Sequence, residues 1–238
     1  MNILAIESSA VAAGAAILKD GQLISESFLN VGLTHSQTLL PLIENTLHAA
    51  KLTTDDIDII AVAAGPGSFT GIRIGVAAAK GLAFTKNTPC YGISTLEGMA
   101  WSAATENMLL CPVMDARCMQ VYTALFESRN GVIERLHADS AVRIDELREL
   151  LIQHNKSVLL FGDGAEKFAP VLKEAGIDIH LAGTAIRMQH ANGIALAAMH
   201  RYTNAISPIA PEQLVPDYLR LSQAERERQN KLKGETKQ

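Results

Sequence analysis

The sequence predicts an α/β protein of two lobes, each a mixed sheet flanked by helices. Three observations predict it. Short apolar runs at 3–6, 57–64, 108–114 and 157–161 have the length and composition of strands buried on both faces. Asp20-Gly21 and Asn130-Gly131 lie between strand-like segments and read as hairpin turns. Both halves carry strand, hairpin, helix and strand in similar order, without sequence identity between them. The turns Glu7-Ser8-Ser9 and Asp115-Ala116-Arg117 fall at comparable places in the two halves.

In the first half, strands are expected at 3–6, 12–18 and 22–29. Thr34 with Gln37 three residues on forms a capping-box pattern, so a helix is expected to about residue 50, bent at Pro41. Leu39, Ile43 and Leu47 lie on one face of it. Leu40 and Leu42 widen that stripe beyond what packing on one sheet requires, as in a helix that is fully buried or docks a partner.

The chain is organised around 63–83, AAGPGSFTGIRIGVAAAKGLA. A strand runs into Gly65-Pro66-Gly67, and a helix capped by Ser68 or Thr70 follows to about residue 85. The spacing is neither GxxxxGK[ST] nor GxGxxG, since the third glycine, Gly71, falls one position late. A Gly-rich strand-to-helix turn can cradle an anion on free N–H groups, or simply let a helix sit close on a sheet. Small residues at Gly71, Gly75, Ala78, Ala79 and Gly81 permit close approach, Ile72, Val76 and Leu82 supply apolar contacts, and Arg73 and Lys80 are expected to be exposed. A strand at 89–93 and a helix capped by Ser94 or Thr95 complete a first lobe spanning 1–105.

The second lobe, 106–222, is expected to hold strands at 108–114, 119–127, 132–137, 157–161 and 177–181, and helices at 144–154, 166–175 and from Ala191 to Tyr202. Residues 207–221 are Pro-punctuated and extended, packing either on the chain's own body or on a partner. Residues 223–238 are charged, lack an apolar period and are expected to be disordered.

The composition excludes several classes. A net charge of −4 does not suit a protein that grips nucleic acid unaided. Cys90, Cys111 and Cys118 form no CxxC pair, which fits a reducing compartment without a disulfide framework or zinc site. The first residues lack the basic and apolar regions of a signal peptide, and no apolar run suffices for a membrane span. His35 and His48 lack HExxH spacing, and no nucleophile–base pair has diagnostic spacing, so a peptidase is not supported.

The stretch 63–83 resembles the signature of the bacterial TsaB family, also called YeaZ. THSQTLLPLI at 34–43, DARCMQVYTALF at 115–126 and PDYLR at 216–220 match as well, so the resemblance covers 1–222. It implies an actin-like fold of the ASKHA class and a cytoplasmic role in forming threonylcarbamoyladenosine at position 37 of tRNAs that read codons starting with A. In that system TsaD transfers the threonylcarbamoyl group and TsaE is an ATPase. The resemblance implies a non-catalytic subunit, without cofactor or metal, that supports TsaD and meets tRNA only through the complex. The glycoprotease-like M22 label of the family follows its fold. Where the transferase carries two metal-binding histidines four apart, this chain has His35 and Leu39. Where family members usually have Asp after the first strand, it has Glu7. The implied partner surface lies on helices 35–50 and 71–85, through Leu39, Leu40, Ile43, Leu47, Ile72, Gly75, Val76 and Ala79, and serves TsaD or a second copy of the chain. The alternative is a nucleotide-dependent phosphotransferase or hydrolase built from Glu7, the Gly65 and Gly67 turn, Asp115, and Gly162 and Gly164.

Overall fold

Strand β1 (Asn2–Glu7) is apolar on both sides, and both sides are covered. Leu4 and Ile6 point to one layer of helices, Ile3 and Ala5 to another. The alternation of a strand thus serves two cores, which is why the sequence reads as a continuous apolar run. β1 pairs antiparallel with β2 (Ala13–Lys19), and β2 with β3 (Gln22–Leu29). The Asp20-Gly21 turn joins β2 to β3 with both residues at positive φ. β4 (Ile59–Gly65) runs parallel to β1, and β5 (Cys90–Ser94) parallel to β4, giving the order β3-β2-β1-β4-β5. These features come from a computed structural model that describes residues 1–220, so the tail expected at 223–238 lies outside the described residues.

The second sheet contains β6 (Leu109–Asp115), β7 (Gln120–Arg129), β8 (Val132–Arg143), β9 (Val158–Phe161) and β10 (Ile179–Leu181). Its order is β10-β9-β6-β7-β8, which read from β6 outward repeats the first sheet. Glu7 and Asp115 therefore end equivalent strands, and the glycine turns at 65–67 and 162–164 follow equivalent ones.

Helices α1 (His35–Ala49) and α2 (Phe69–Ala83) cover one face of the first sheet. Helices α4 (Ile144–His154) and α5 (Ala165–Glu174) cover the outer face of the second. The short α3 (Thr95–Ser102) packs Leu96, Met99 and Ala100 against Leu110, Phe126 and Phe161 of the second sheet.

Three expectations change. The last helix, α6 (Ala191–Thr203), returns to the first sheet and buries Ala191, Ile194, Ala195 and Ala198 against Ile3, Ala5, Ala16 and Leu18. The break at 105/106 follows the chain, whereas the packing gives 191–203 to the first sheet, whose second face needs a cover longer than α3. Thr34 occupies the N-cap of α1 without a side-chain cap bond; its carbonyl accepts the Gln37 and Thr38 N–H groups, so the capping box does not form. β8 runs on to Arg143, because register shifts opposite Leu125 keep its polar second half in the ladder with β7.

Candidate functional site

A cleft of ≈ 500 Å³ separates the lobes. The 66–70 turn and Ser9 form its first wall, and Asp115, Tyr122 and Asp163 its second. At the first wall the glycines serve close approach. The Ser68 N–H donates to the Ser9 carbonyl at 2.6 Å, and the Gly71 N–H to the Ser68 hydroxyl, which caps α2, at 3.2 Å. A Cβ on Gly67 would overlap the Ser9 carbonyl, and one on Gly71 the Ser8 carbonyl. Two N–H groups of an anion cradle are thus already bonded to the chain.

The second wall is built alike. The Gly162 N–H donates to the Arg187 carbonyl at 2.7 Å and the Gly164 N–H to the Val113 carbonyl at 3.0 Å. The Asp115 carboxylate accepts from the Lys167 ammonium at 2.7 Å and the Arg117 N–H at 2.8 Å. Partial burial pushes the Asp115 pKa up, but these two partners outweigh it and hold the carboxyl below its ordinary value. Asp163 accepts from the Gln189 amide at 3.2 Å; desolvation of its carboxyl against the cleft wall raises its pKa, although the residue as a whole is exposed.

Glu7 lies beneath the cleft floor, 1 % exposed. Burial raises its pKa to about 7, opposed by hydrogen bonds from Ser9 and Ser8 and by the charge of His190. Its Oε1 accepts the Ser9 N–H at 2.6 Å. His35, at the start of α1, donates from Nε2 to the Ala10 carbonyl at 2.6 Å, and Leu39 one turn on is in the core. No cluster of three metal-ligating side chains occurs among the described residues.

The second candidate surface is the outer face of α1 and α2. Seven of the eight residues expected to meet a partner are buried beneath it: Leu39, Ile43, Leu47, Ile72, Gly75, Val76 and Ala79. The centre of an amphipathic stripe faces the sheet, and only its flanks remain for anything else. Gly75 faces the Ser8 hydroxyl. Leu40 is 56 % exposed. Beside it Ile43, Leu47, Leu52 and Leu82 line an apolar groove of ≈ 410 Å³ between the helices. Ala77 and Gly81 are exposed along α2 and Phe84 just past its end, while Ile74 and Ala78 are half-buried.

Comparison with known proteins decides the family. The model of the family "TsaD: tRNA N6-adenosine threonylcarbamoyltransferase" matches residues 30–228. The "tRNA threonylcarbamoyladenosine biosynthesis protein TsaB" of Bacillus subtilis is 33 % identical over 94 % of this chain and 96 % of its own length. The chain belongs to the TsaB family. YeaZ from Pseudomonas aeruginosa shares its fold, with a TM-score of 0.74 at 22 % identity over 92 % of this chain and 99 % of that one. The ROK hexokinase of Thermus thermophilus superimposes with a TM-score of 0.51 at 12 % identity, over 86 % of this chain and 100 % of that one. The fold is actin-like, two mixed sheets flanked by helices.

In this TsaB-family chain, sequence reasoning missed what Arg73 and Lys80 do. Both hold the segment 206–220. Arg73 lies 3.9 Å over the Phe69 ring and donates to the Tyr218 hydroxyl at 2.8 Å, while Lys80 donates to the Glu212 and Leu214 carbonyls. The signal was the spacing of Phe69 and Arg73, four apart on one helix face, with an aromatic residue in PDYLR to join them.

Proposed function

We propose that this chain is a non-catalytic support subunit in the formation of threonylcarbamoyladenosine in tRNA, as the name of its Bacillus subtilis relative suggests. It docks a TsaD-type transferase, works with a TsaE-type ATPase, and pairs with a second copy of itself when alone. It acts in the cytoplasm and meets tRNA through the complex. No helix among the described residues is long and apolar enough to cross a membrane.

One observation carries the non-catalytic reading: several of the groups that a nucleotide site would use are engaged by the chain itself. The Asp115 carboxylate is paired with Lys167, and N–H groups of both glycine turns are bonded to carbonyls or a cap hydroxyl. Glu7 is buried and its carboxylate already accepts the Ser9 N–H.

The docking face in this reading is the exposed flank of the two helices: Leu40, Ile74, Ala77, Ala78, Leu82 and Phe84. The residues expected from the sequence form the floor under it. A stable pairing buries about 1,600 Å², which two helices of fifteen residues each can supply with their partner's two.

The test is a mass measurement in solution of the chain alone and mixed with a TsaD-type transferase, together with a tRNA modification assay. Wild type is expected to move from homodimer to one-to-one heterodimer and to raise tRNA modification. Leu40→Glu and Ala77→Glu are expected to do neither while keeping the wild-type far-UV circular dichroism spectrum. Equal modification with and without this chain would sink the proposal.

A further inference from the structure

We infer that residues 206–220 are an interlobe clasp: anchored along the first lobe, they reach across the mouth of the cleft and tie it shut through Arg220. This does not depend on a partner and is tested on the isolated chain.

The anchoring is continuous. Tyr91 donates its hydroxyl to the Ile206 carbonyl. Ile209 exchanges both backbone hydrogen bonds with Cys90, at 2.8 and 2.9 Å, and so protects the edge of β5. Leu214 is 1 % exposed within the core under α2, and Lys80 clamps the carbonyls on either side of Gln213. The Asp217 N–H donates to the Ala64 carbonyl at 2.7 Å. Tyr218 stacks on Phe69 with ring centroids 4.5 Å apart, under the reach of Arg73.

The segment then leaves the first lobe. Arg220 donates from Nη1 to the Ala116 carbonyl at 2.8 Å, in the turn that joins β6 to β7. Ala116 belongs to the second wall of the cleft, and 217–220 line its mouth. The lobes are also joined through α3 and the end of β5. Glu97 of α3 bonds Arg135 of β8 and Arg201 of α6, and Ser94 bonds Asp139. Arg220 adds a bond from the segment 206–220 to the β6–β7 turn on the second wall.

The clasp also accounts for Gly65. Its φ of 129° requires glycine, and a Cβ there would overlap the Asp217 carbonyl oxygen. The absence of a side chain at Gly65 admits the chain's own segment. The clasp therefore spans the two walls of the cleft and covers the turn at Gly65.

The lobe-to-lobe distance tests this. Nitroxides are placed at Asn45→Cys on α1 and Glu149→Cys on α4, both exposed, in a Cys118→Ser background that leaves only the buried Cys90 and Cys111. Pulsed dipolar spectroscopy is run with excess unlabelled chain, so that pairs between copies do not contribute. Wild type is expected to give one narrow distribution. Arg220→Gln is expected to broaden it and shift it, with the wild-type melting temperature retained, and Arg220→Lys, which can still reach a carbonyl, to recover part of the narrow population. Amide exchange of the 116–120 turn is expected to rise in Arg220→Gln. An unchanged distribution in Arg220→Gln overturns the clasp. If that variant does not fold, Tyr218→Ala is decisive instead, and an unchanged distribution there overturns it equally.

Discussion

The Ser8 hydroxyl donates to the Gly71 carbonyl at 2.9 Å, and one turn further along α2 a Cβ on Gly75 would overlap that same hydroxyl oxygen. The β1–β2 turn is thus inset into a helix face with no side chains at 71 and 75. Gly71→Ala meets a backbone carbonyl that cannot move aside, so it is expected to destabilise the chain by roughly 1–3 kcal/mol. Gly75→Ala meets a hydroxyl that can rotate and should cost less. Gly81→Ala has open space and should stabilise by about 0.5–1 kcal/mol through helix propensity. Urea unfolding of the three variants gives the order; a Gly71→Ala as stable as wild type would contradict the close packing.

Leu40 and Ile43 stand three apart on α1 and are expected to separate docking from folding. Ile43 is 2 % exposed, so Ile43→Ala should cost about 2–5 kcal/mol of stability. Leu40→Ala should change stability by less than about 0.5 kcal/mol, yet weaken dimerisation or transferase binding by about 1–3 kcal/mol. Thermal melting and analytical ultracentrifugation on both variants check this. A Leu40→Ala that assembles normally places the docking face elsewhere.

These two residues also mark what was legible in the sequence. Periodicity located α1 and its apolar stripe, because a 3.6-residue repeat is local. It did not separate Ile43 from Leu40, because the sheet that buries one and leaves the other is made by residues far away in the chain. The repeated strand order of the two lobes was legible from hairpin turns and buried runs, which are also local signals. The return of α6 to the first sheet was not, since an apolar helix face does not say which sheet it will cover. Of the cleft, the glycine turns and Glu7 and Asp115 were visible as residues. What occupies the glycine turns was not: the Asp217 carbonyl over Gly65 and the Ser9 carbonyl beside Gly67 are long-range approaches.

Lys167 is expected to hold Asp115 ionised and engaged. In Lys167→Met the Asp115 carboxyl loses its ion-pair partner, and its pKa should rise, since desolvation then acts with less opposition. A carboxyl titration followed by carbon-detected NMR measures this. Neither wild type nor the variant is expected to give saturable heat with ADP. An ADP isotherm on the isolated wild-type chain would revive the cleft as a nucleotide site.

The last expectation concerns Glu7 and pH. Burial raises its pKa from 4.5 to about 7 in the folded state. Between those values the folded chain binds a proton that the unfolded chain does not, so this group's contribution is fully present below about pH 4.5 and is lost as pH rises through about 7. Above that, the folded state must hold a buried carboxylate. Glu7→Gln keeps an oxygen to accept the Ser9 N–H and cannot ionise. It should therefore match wild type near pH 4.5 and exceed it increasingly through neutrality, by up to roughly 3 kcal/mol at pH 8.5. Asp115 and Glu127 act in the opposite sense, because their lowered pKa values remove stability as pH falls. The difference between the two proteins, taken from urea unfolding at several pH values, cancels those contributions and isolates Glu7. A difference that stays flat from pH 4.5 to 8.5 would show that Glu7 has an ordinary pKa and reaches solvent through the cleft floor.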